Sequence, residues 1–204
     1  PGGYVLSSGT DPRGVVCNGM SNYKRNSPWA NSAVVVTVDH QKHFGTYLLG
    51  GLELRRTLEE KAFAAVLEAG GHKELPAQSL TSFLHGKNGS IRRGSSPSGE
   101  IAVRLDQILP SFILENLRKG LADFERKMPG FICEDAQLYG VESRTSCPLR
   151  ITRDEESMQS VSHAGLYPIG EGAGYAGGIT SAACDGVRVA DKICQSLSSV
   201  SCRP

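Results

Sequence analysis

The pattern of apolar and polar positions along the chain predicts several short strands. Residues 33–38 are nearly all alanine or valine, and this β-branched run predicts a strand that is buried on both faces. Two apolar runs near the N-terminus, residues 4–7 and 14–18, are separated by turn-forming residues and predict a hairpin. Further strands are predicted over residues 136–142 and 149–152.

Apolar residues that recur at intervals of three and four predict three helices. The first lies between two Gly-Gly pairs, from residue 50 to residue 71, and the second lies between Pro110 and Pro129. The third runs from about residue 179 to residue 197. Its predicted inner side consists of Ala182, Ala183, Val187, Ala190, Ile193 and Cys194.

A short apolar run at residues 165–169 leads into a glycine-rich segment, residues 170–178, in which five of nine residues are glycine. Glycine before a helix lets the backbone approach a phosphate or an aromatic ring closely. The segment contains a Gly-x-Gly-x-x-Gly pattern, but it lacks the following strand and acidic residue that an opening dinucleotide-binding turn requires. We therefore predict a closing strand-turn-helix unit, and a tight turn without a ligand is the alternative.

The composition excludes several classes of function. The chain has 204 residues and a net charge of +1, which gives no electrostatic case for nucleic acid, and its apolar runs are too short to span a membrane. The six cysteines form no Cys-x-x-Cys pair, which indicates reduced thiols in an intracellular compartment and no metal site. The length fits one large domain or two small ones.

A loop at residues 86–100 is rich in Gly, Ser and Pro and carries Lys87, Arg92 and Arg93. These cations either contact an anion or belong to a solvated loop, and the second interpretation is favoured. Trp29, the only tryptophan, follows Pro28 in a polar stretch and receives no predicted role.

The glycine-rich segment and its flanks resemble the closing flavin motif of FAD-dependent oxidoreductases. The resemblance is greatest to the C-terminal domain of a family of FAD-dependent dehydrogenases from bacteria and plant plastids, which are glutathione-reductase-like Rossmann flavoproteins. It rests on residues 165–190 and on the Glu-Ser-Arg-Thr-Ser stretch at 142–146. It extends to Pro-Gly-Gly-Tyr at 1–4 and Ala-Asn-Ser-Ala at 30–33.

The resemblance implies an α/β fold with two parts. An α+β inserted domain, on the substrate side, would cover residues 1–140, and the returning C-terminal part of a Rossmann-like FAD domain would cover 141–197, with a tail at 198–204. The family's opening Gly-x-Gly-x-x-Gly half has no counterpart in this sequence. We therefore expect a C-terminal fragment that contributes half an FAD site.

The resemblance also implies which residues face the cofactor. Glu171 matches an acidic residue that hydrogen-bonds the ribitol or phosphate region of FAD. The backbone amides after it would face the pyrophosphate or the pyrimidine edge of the flavin, where a positive helix dipole stabilises negative charge on reduced flavin. The implied cofactor-binding set is Gly170, Glu171, Gly172, Ala173, Gly174, Tyr175, Gly177, Gly178 and Ile179.

Arg144 and Ser146 are candidates for holding an anionic substrate or the flavin edge. The alternative for Arg144 is an ion pair with one of the acidic residues at 154–156. No residue stands out as a general acid or base, so the catalytic residues stay unknown.

Two functions remain open at this point. The first is the C-terminal portion of an FAD-dependent oxidoreductase with an unknown small-molecule substrate; NADH or NADPH as electron donor is left open. The second is a non-enzymatic α/β interaction or assembly module that has lost FAD binding. The expected location is the chloroplast in a plant and the cytoplasm otherwise, and the oligomeric state is open.

Overall fold

The computed structural model describes residues 2–9 and 11–201, with side chains described up to residue 198. The fold is mixed α/β, as the sequence predicts. The elements of the described chain are, in order, β1 (Gly3–Ser7), β2 (Cys17–Ser21), α1 (His40–Phe44), α2 (Gly50–Glu68), β3 (Leu75–Ser79), α3 (Leu80–His85), β4 (Glu100–Ala102), α4 (Leu105–Ile108), α5 (Ser111–Lys127), β5 (Gln137–Tyr139) and α6 (Ile179–Ser201).

The described chain divides into two compact units. Unit 1 comprises the residues up to 43 together with 53–143, and unit 2 comprises 44–52 together with the residues from 144 onward. The roles that the sequence suggests for these parts, an inserted domain and a returning FAD part, stay a prediction.

Unit 1 contains two small sheets. Strands β1 and β2 form the predicted antiparallel hairpin, with Tyr4 opposite Met20, although β2 begins three residues later than the predicted run at 14–18. The second sheet has the order β4-β3-β5, in which β3 runs parallel to β4 and antiparallel to β5. Strand β5 confirms the strand predicted over residues 136–142, although it is shorter.

The helix predicted from residue 50 is confirmed as α2. Its residues Leu58, Ala62 and Val66 recur at intervals of four and are buried. The helix stops where Gly70 takes a φ of +85°, a left-handed conformation that glycine adopts without steric cost. The helix predicted between Pro110 and Pro129 is confirmed as α5, and its apolar stripe consists of Ile113, Leu114, Leu117, Leu121 and Phe124. Its members pack against the core of unit 1, which consists of Val5, Val15, Cys17, Leu58, Ala62, Leu75, Leu80, Phe83, Leu105, Ile108, Leu121 and Val141.

A buried polar cluster lies at the end of β3. The Gln78 amide donates to Asp106 Oδ1 over 3.1 Å, and Arg104 Nε donates to the same oxygen over 2.7 Å. The hydrogen bond from Arg104 lowers the pKa of Asp106, so the carboxylate remains charged although it is buried. This cluster joins the strand to α4 without leaving the charge unpaired.

The prediction of a strand over residues 33–38 is wrong. This segment has no regular structure, and its even-numbered valines are half-buried while Val35 is exposed. It therefore hides one face rather than two. A strand is stabilised by its neighbours, and no described strand pairs with this segment, so its β-branched composition alone does not make one.

In unit 2 the third helix is confirmed as α6, but its predicted inner side is largely wrong. Val187 is 63% exposed, whereas Val189, which was not on the predicted side, is fully buried. Ala183, Ala190 and Cys194 are also exposed. The buried face is instead set by Asp185, which pairs with Arg153. A helix whose apolar arc is wider than its contact can turn either edge inward.

Two predicted strands of unit 2 are also absent from the described chain. Residues 149–152 form no strand, and nearby pairing is limited to one isolated bridge between Arg153 and Ser160. Residues 165–169, the predicted closing strand, begin in a turn and continue as irregular chain. Their backbone groups bond to loop residues. For example, the Leu166 N–H donates to the His163 carbonyl.

Five cysteines lie within the described chain, and none of them forms a disulfide there. Cys17 is buried. Its burial and, to a smaller extent, the negative charge of Glu142 raise the pKa of its thiol to about 12. Cys202 lies outside the described residues.

Candidate functional site

The glycine-rich segment at 170–178 is a chain of turns that leads directly into α6. The Gly174 N–H donates to the Glu171 carbonyl over 3.0 Å, and the Tyr175 N–H donates to the Gly170 carbonyl over 2.9 Å. Gly170 and Gly174 have φ values of +67° and +82°. Positive φ values of this kind favour glycine. The glycines at these two positions therefore permit two tight reversals of the backbone within five residues.

Gly174 is packed against the chain that precedes the segment. A Cβ atom at this position would lie 2.3 Å from the Leu149 carbonyl oxygen. Nearby, the Ile151 N–H donates to the Ala173 carbonyl over 3.1 Å, and Arg150 Nε donates to the Gly174 carbonyl over 3.1 Å. This side of the segment is therefore filled by the protein itself.

The other side of the segment is open. A Cβ atom on Gly172 or Gly177 would meet nothing within 4 Å, and one on Gly178 would meet only the Ser181 hydroxyl at 3.8 Å. Within the described chain, the backbone N–H groups of Gly172, Ala176 and Gly177 donate to no protein acceptor. Bare backbone with free N–H groups forms a cradle that suits an anion or a polarised ring edge.

The N-terminus of α6 adjoins this cradle. The helix begins at Ile179, has 23 residues and has no acidic residue in its first turn. The Ser181 hydroxyl in its first turn accepts from the N–H of Gly178, the residue before the helix, over 3.1 Å. The positive end of the helix dipole is therefore not neutralised by a carboxylate of its own. Glu171 is half-buried and makes no ion pair with the described residues.

Tyr175 lies inside the segment and is fully engaged. The Arg153 guanidinium lies 3.7 Å from the centroid of its ring, and that of Arg150 lies 5.0 Å away. Its hydroxyl donates to the Ile151 carbonyl over 3.1 Å and accepts from the Arg153 N–H over 3.0 Å. Tyr175 therefore fixes the segment in place through contacts that use both its ring and its hydroxyl.

Sequence reasoning missed the group that holds this tyrosine. Arg153 pairs with Asp185 of α6 and also donates to the Pro168 carbonyl over 2.7 Å, and the Gly170 N–H donates to Asp185 over 2.9 Å. The hydrogen bond from Arg153 lowers the pKa of Asp185 to about 2. The signal in the sequence is weak: Asp185 lies one turn before Val189 at the edge of the apolar side of α6, and an aspartate that is buried there requires a cationic partner.

The other two candidates from the sequence, Arg144 and Ser146, are exposed. Arg144 makes no ion pair within the described part of the chain, so the alternative pairing with residues 154–156 is not seen. One residue further on, the Cys147 thiol donates to the Gly172 carbonyl over 3.3 Å. This contact joins the chain that directly follows the two candidates to the glycine-rich segment, while both candidate side chains face solvent.

The described residues contain no cluster of three or more side chains that could hold a metal ion. Across the same part of the chain, none of the helices has the length and apolarity needed to cross a membrane.

Comparison with known proteins gives two findings. A protein from Clostridium beijerinckii, described as an uncharacterized protein, is 40% identical over 196 residues, which is 95% of this chain. The aligned region is 36% of that protein, so the chain spans about a third of the length of this relative.

The second finding concerns the family. The model of a family described as "FAD-dependent protein, C-terminal domain-like" matches residues 1–145. These residues include the hairpin, the three-stranded sheet and α5. The match covers unit 1 and residues 44–52 and 144–145 of unit 2, and it stops before the glycine-rich segment. Since it covers more than half of the sequence, this chain belongs to the family of FAD-dependent proteins with this C-terminal domain.

Proposed function

We propose that this chain is the C-terminal portion of an FAD-dependent oxidoreductase and that residues 170–178 form the flavin end of its cofactor site. The observation that carries the proposal is the open cradle, where Gly172 and Gly177 present bare backbone and free N–H groups beside a long helix without an acidic first turn. These features fit a cofactor that carries a pyrophosphate and an electron-poor ring.

The residues of the segment have different tasks in this proposal. The N–H groups of Gly172, Gly177 and Ile179 bind the anionic or polarised edge of the cofactor, and Glu171 accepts hydrogen bonds from its hydroxyl groups. Gly174 and Tyr175 instead position the backbone, because the protein already surrounds them. FAD, when bound, supplies hydride or electron transfer.

Arg144 and Ser146 are proposed to hold an anionic substrate or the flavin edge. Their exposure supports this role, since neither side chain makes a hydrogen bond or an ion pair within the described chain. Unit 1 is proposed as the substrate-side domain and unit 2 as the returning part of the FAD domain. The finer expectations, NADH or NADPH as donor and a chloroplast or cytoplasmic location, belong to the same proposal.

The experiment is a flavin measurement on the longest protein translated from the natural transcript of this chain. We expect a yellow protein with bound FAD, and we expect Gly177→Leu to lower the ratio of flavin to protein at least tenfold, because the new side chain fills the cradle (about 1.4 kcal/mol or more). Gly120→Leu is the matched control, since a Cβ at Gly120 in α5 also meets nothing within 4 Å.

A colourless, folded protein would contradict the oxidoreductase proposal and favour the interaction or assembly module. Retention of full flavin by Gly177→Leu would place the cofactor elsewhere. The sequence of the transcript upstream of the codon for Pro1 is an independent check, because an encoded strand, Gly-x-Gly-x-x-Gly and helix would supply the other half of the site.

A further inference from the structure

Unit 1 contains a cleft that is separate from the glycine-rich segment. Its volume is about 850 Å³, which lies within the range of small-molecule sites. Its lining comes from two parts of the sequence, which we call the aromatic wall (Tyr4 of β1 and Trp29) and the basic wall (the loop at residues 91–100). The cleft thus has an aromatic side and a side that carries Arg92 and Arg93.

The aromatic wall is held by backbone contacts rather than by burial. The Trp29 carbonyl accepts from the Gly3 N–H over 2.8 Å and from the Ser27 hydroxyl over 2.9 Å. The side chains of Tyr4 and Trp29 remain 36% and 37% exposed. The chain therefore fixes two aromatic residues that line the cleft and keep part of their surface accessible to a ligand.

The basic wall is fixed as firmly. The Gln137 side chain donates to the Arg92 carbonyl over 3.0 Å and accepts from the Arg92 N–H, so β5 holds the loop on both backbone groups. On the other side, the Ser95 hydroxyl accepts from the Val5 N–H over 3.1 Å, which ties the loop to β1. A loop that is anchored to both β5 and β1 presents its side chains to a ligand with little further cost in conformational entropy.

The charges of the cleft leave one cation available. Arg92 pairs with Asp135. The carboxylate of Glu100 accepts from the N–H groups of Gly94 (3.3 Å) and Ser96 (2.7 Å), so it is committed to the loop itself. Arg93 makes no ion pair in the part of the chain that is described. An exposed guanidinium that lines the same cleft as two aromatic residues is suited to a carboxylate.

We propose that this cleft binds a small molecule that carries an aromatic ring and a carboxylate, with the ring against Tyr4 and Trp29 and the carboxylate on Arg93. For Arg93 this proposal takes up the anion contact that the sequence leaves as the alternative, whereas Arg92 is exposed and pairs with Asp135, and Lys87 does not line the cleft. As the substrate class of the enzyme, this inference rests on the proposed function. The binding itself rests on unit 1 alone.

The test is a titration of the purified chain with 3-phenylpropionate, followed by the fluorescence of Trp29, the only tryptophan. We expect saturable quenching with a Kd of about 1 mM or lower. Two matched compounds separate the contributions, because 3-phenylpropanol lacks the charge and 3-cyclohexylpropionate lacks the aromatic ring. We expect each to bind about tenfold more weakly.

Variants assign the effect to residues. Arg93→Gln should weaken 3-phenylpropionate about tenfold and leave 3-phenylpropanol unchanged, and Arg93→Lys should retain most of the affinity. Tyr4→Leu should weaken both aromatic compounds. The controls are Arg126→Gln, an exposed arginine of α5, and Tyr23→Leu, a fully exposed tyrosine, neither of which lines the cleft.

Absence of saturable quenching would overturn the proposal, and so would equal binding of the three compounds or equal effects of Arg93→Gln and Arg126→Gln. None of these results depends on FAD. A protein that binds 3-phenylpropionate but no flavin would contradict the proposed function alone. A protein that binds flavin but not 3-phenylpropionate would contradict this inference alone.

Discussion

Arg153 and Asp185 form a doubly hydrogen-bonded ion pair in unit 2, with Nη2 of the arginine 2.6 Å from Oδ1 and Nη1 2.9 Å from Oδ2. The two side chains are only 5% and 10% exposed. The pair joins the irregular chain before the glycine-rich segment to α6, and the arginine also covers the ring of Tyr175. The geometry of the cradle therefore depends on a contact between residues 32 positions apart.

We predict that Asp185→Asn destabilises unit 2 by about 2 kcal/mol near neutral pH, because it removes charge-assisted hydrogen bonds and leaves Arg153 buried without its counter-ion. Hydrogen exchange of peptides that contain Gly170 and the start of α6 measures this change. The exposed pair Arg126–Asp123 provides the control, and Asp123→Asn should change stability by less than about 0.5 kcal/mol. Equal effects of the two substitutions would contradict the prediction.

The same pair predicts a dependence of stability on pH. Folding lowers the pKa of Asp185 from 3.8 to about 2, so its contribution is fully present above about pH 4 and is lost as the pH falls towards 2. Exchange of the Gly170 amide, corrected for its intrinsic rate, should accelerate over this interval in the natural chain. Asp185→Asn should show no such step, and a step that persists in the variant would assign the titration to another group.

Glycines of the glycine-rich segment should differ in their tolerance of a side chain. Gly174→Ala places a Cβ 2.3 Å from the Leu149 oxygen at a φ of +82°, so we expect a loss of about 3 kcal/mol in the free energy of unfolding. Gly177→Ala should change this free energy by less than about 0.5 kcal/mol, since its Cβ meets nothing within 4 Å. Urea unfolding followed by circular dichroism distinguishes the two, and similar midpoints would show that the two sides of the segment are not distinct.

Two neighbouring valines test which face of α6 is covered. Val189 is fully buried and Val187 is 63% exposed. Val189→Ala should destabilise the protein by about 2 kcal/mol, whereas Val187→Ala should cost less than about 0.5 kcal/mol. The matched pair differs only in position on the helix. A larger effect at Val187 would restore the face that the sequence pattern predicts.

The thiols should differ strongly in reactivity. Burial raises the pKa of Cys17 to about 12, so almost none of it is thiolate at pH 8, whereas Cys133, Cys184 and Cys194 are exposed. We expect iodoacetamide to label the exposed thiols at least about 100-fold faster, as measured by mass spectrometry of the native protein. In urea Cys17 should react at the rate of the others, and rapid labelling in the native state would show that the hairpin opens.

Local sequence signals were sufficient for several elements. The intervals of three and four predict α2, α5 and α6, and the glycines and prolines at their ends mark where α2 and α5 stop, because these residues act on the backbone of their own turn. The hairpin β1–β2 follows in the same way from two apolar runs with turn residues between them. The glycine-rich segment is also visible in the sequence, although its roles in FAD binding stay a prediction.

The tertiary structure decided what the local signals left open. Residues 33–38 have the composition of a strand, yet within the described chain they have no strand partner, and pairing depends on distant residues. In α6 the apolar arc is broad, and the pair of Asp185 with Arg153 selects which edge is buried. The cleft likewise combines Tyr4, Trp29 and Arg93 from separate parts of the sequence. Periodicity and turn residues act over one or two turns of chain, whereas burial, ion pairs and clefts require contacts between segments that only folding brings together.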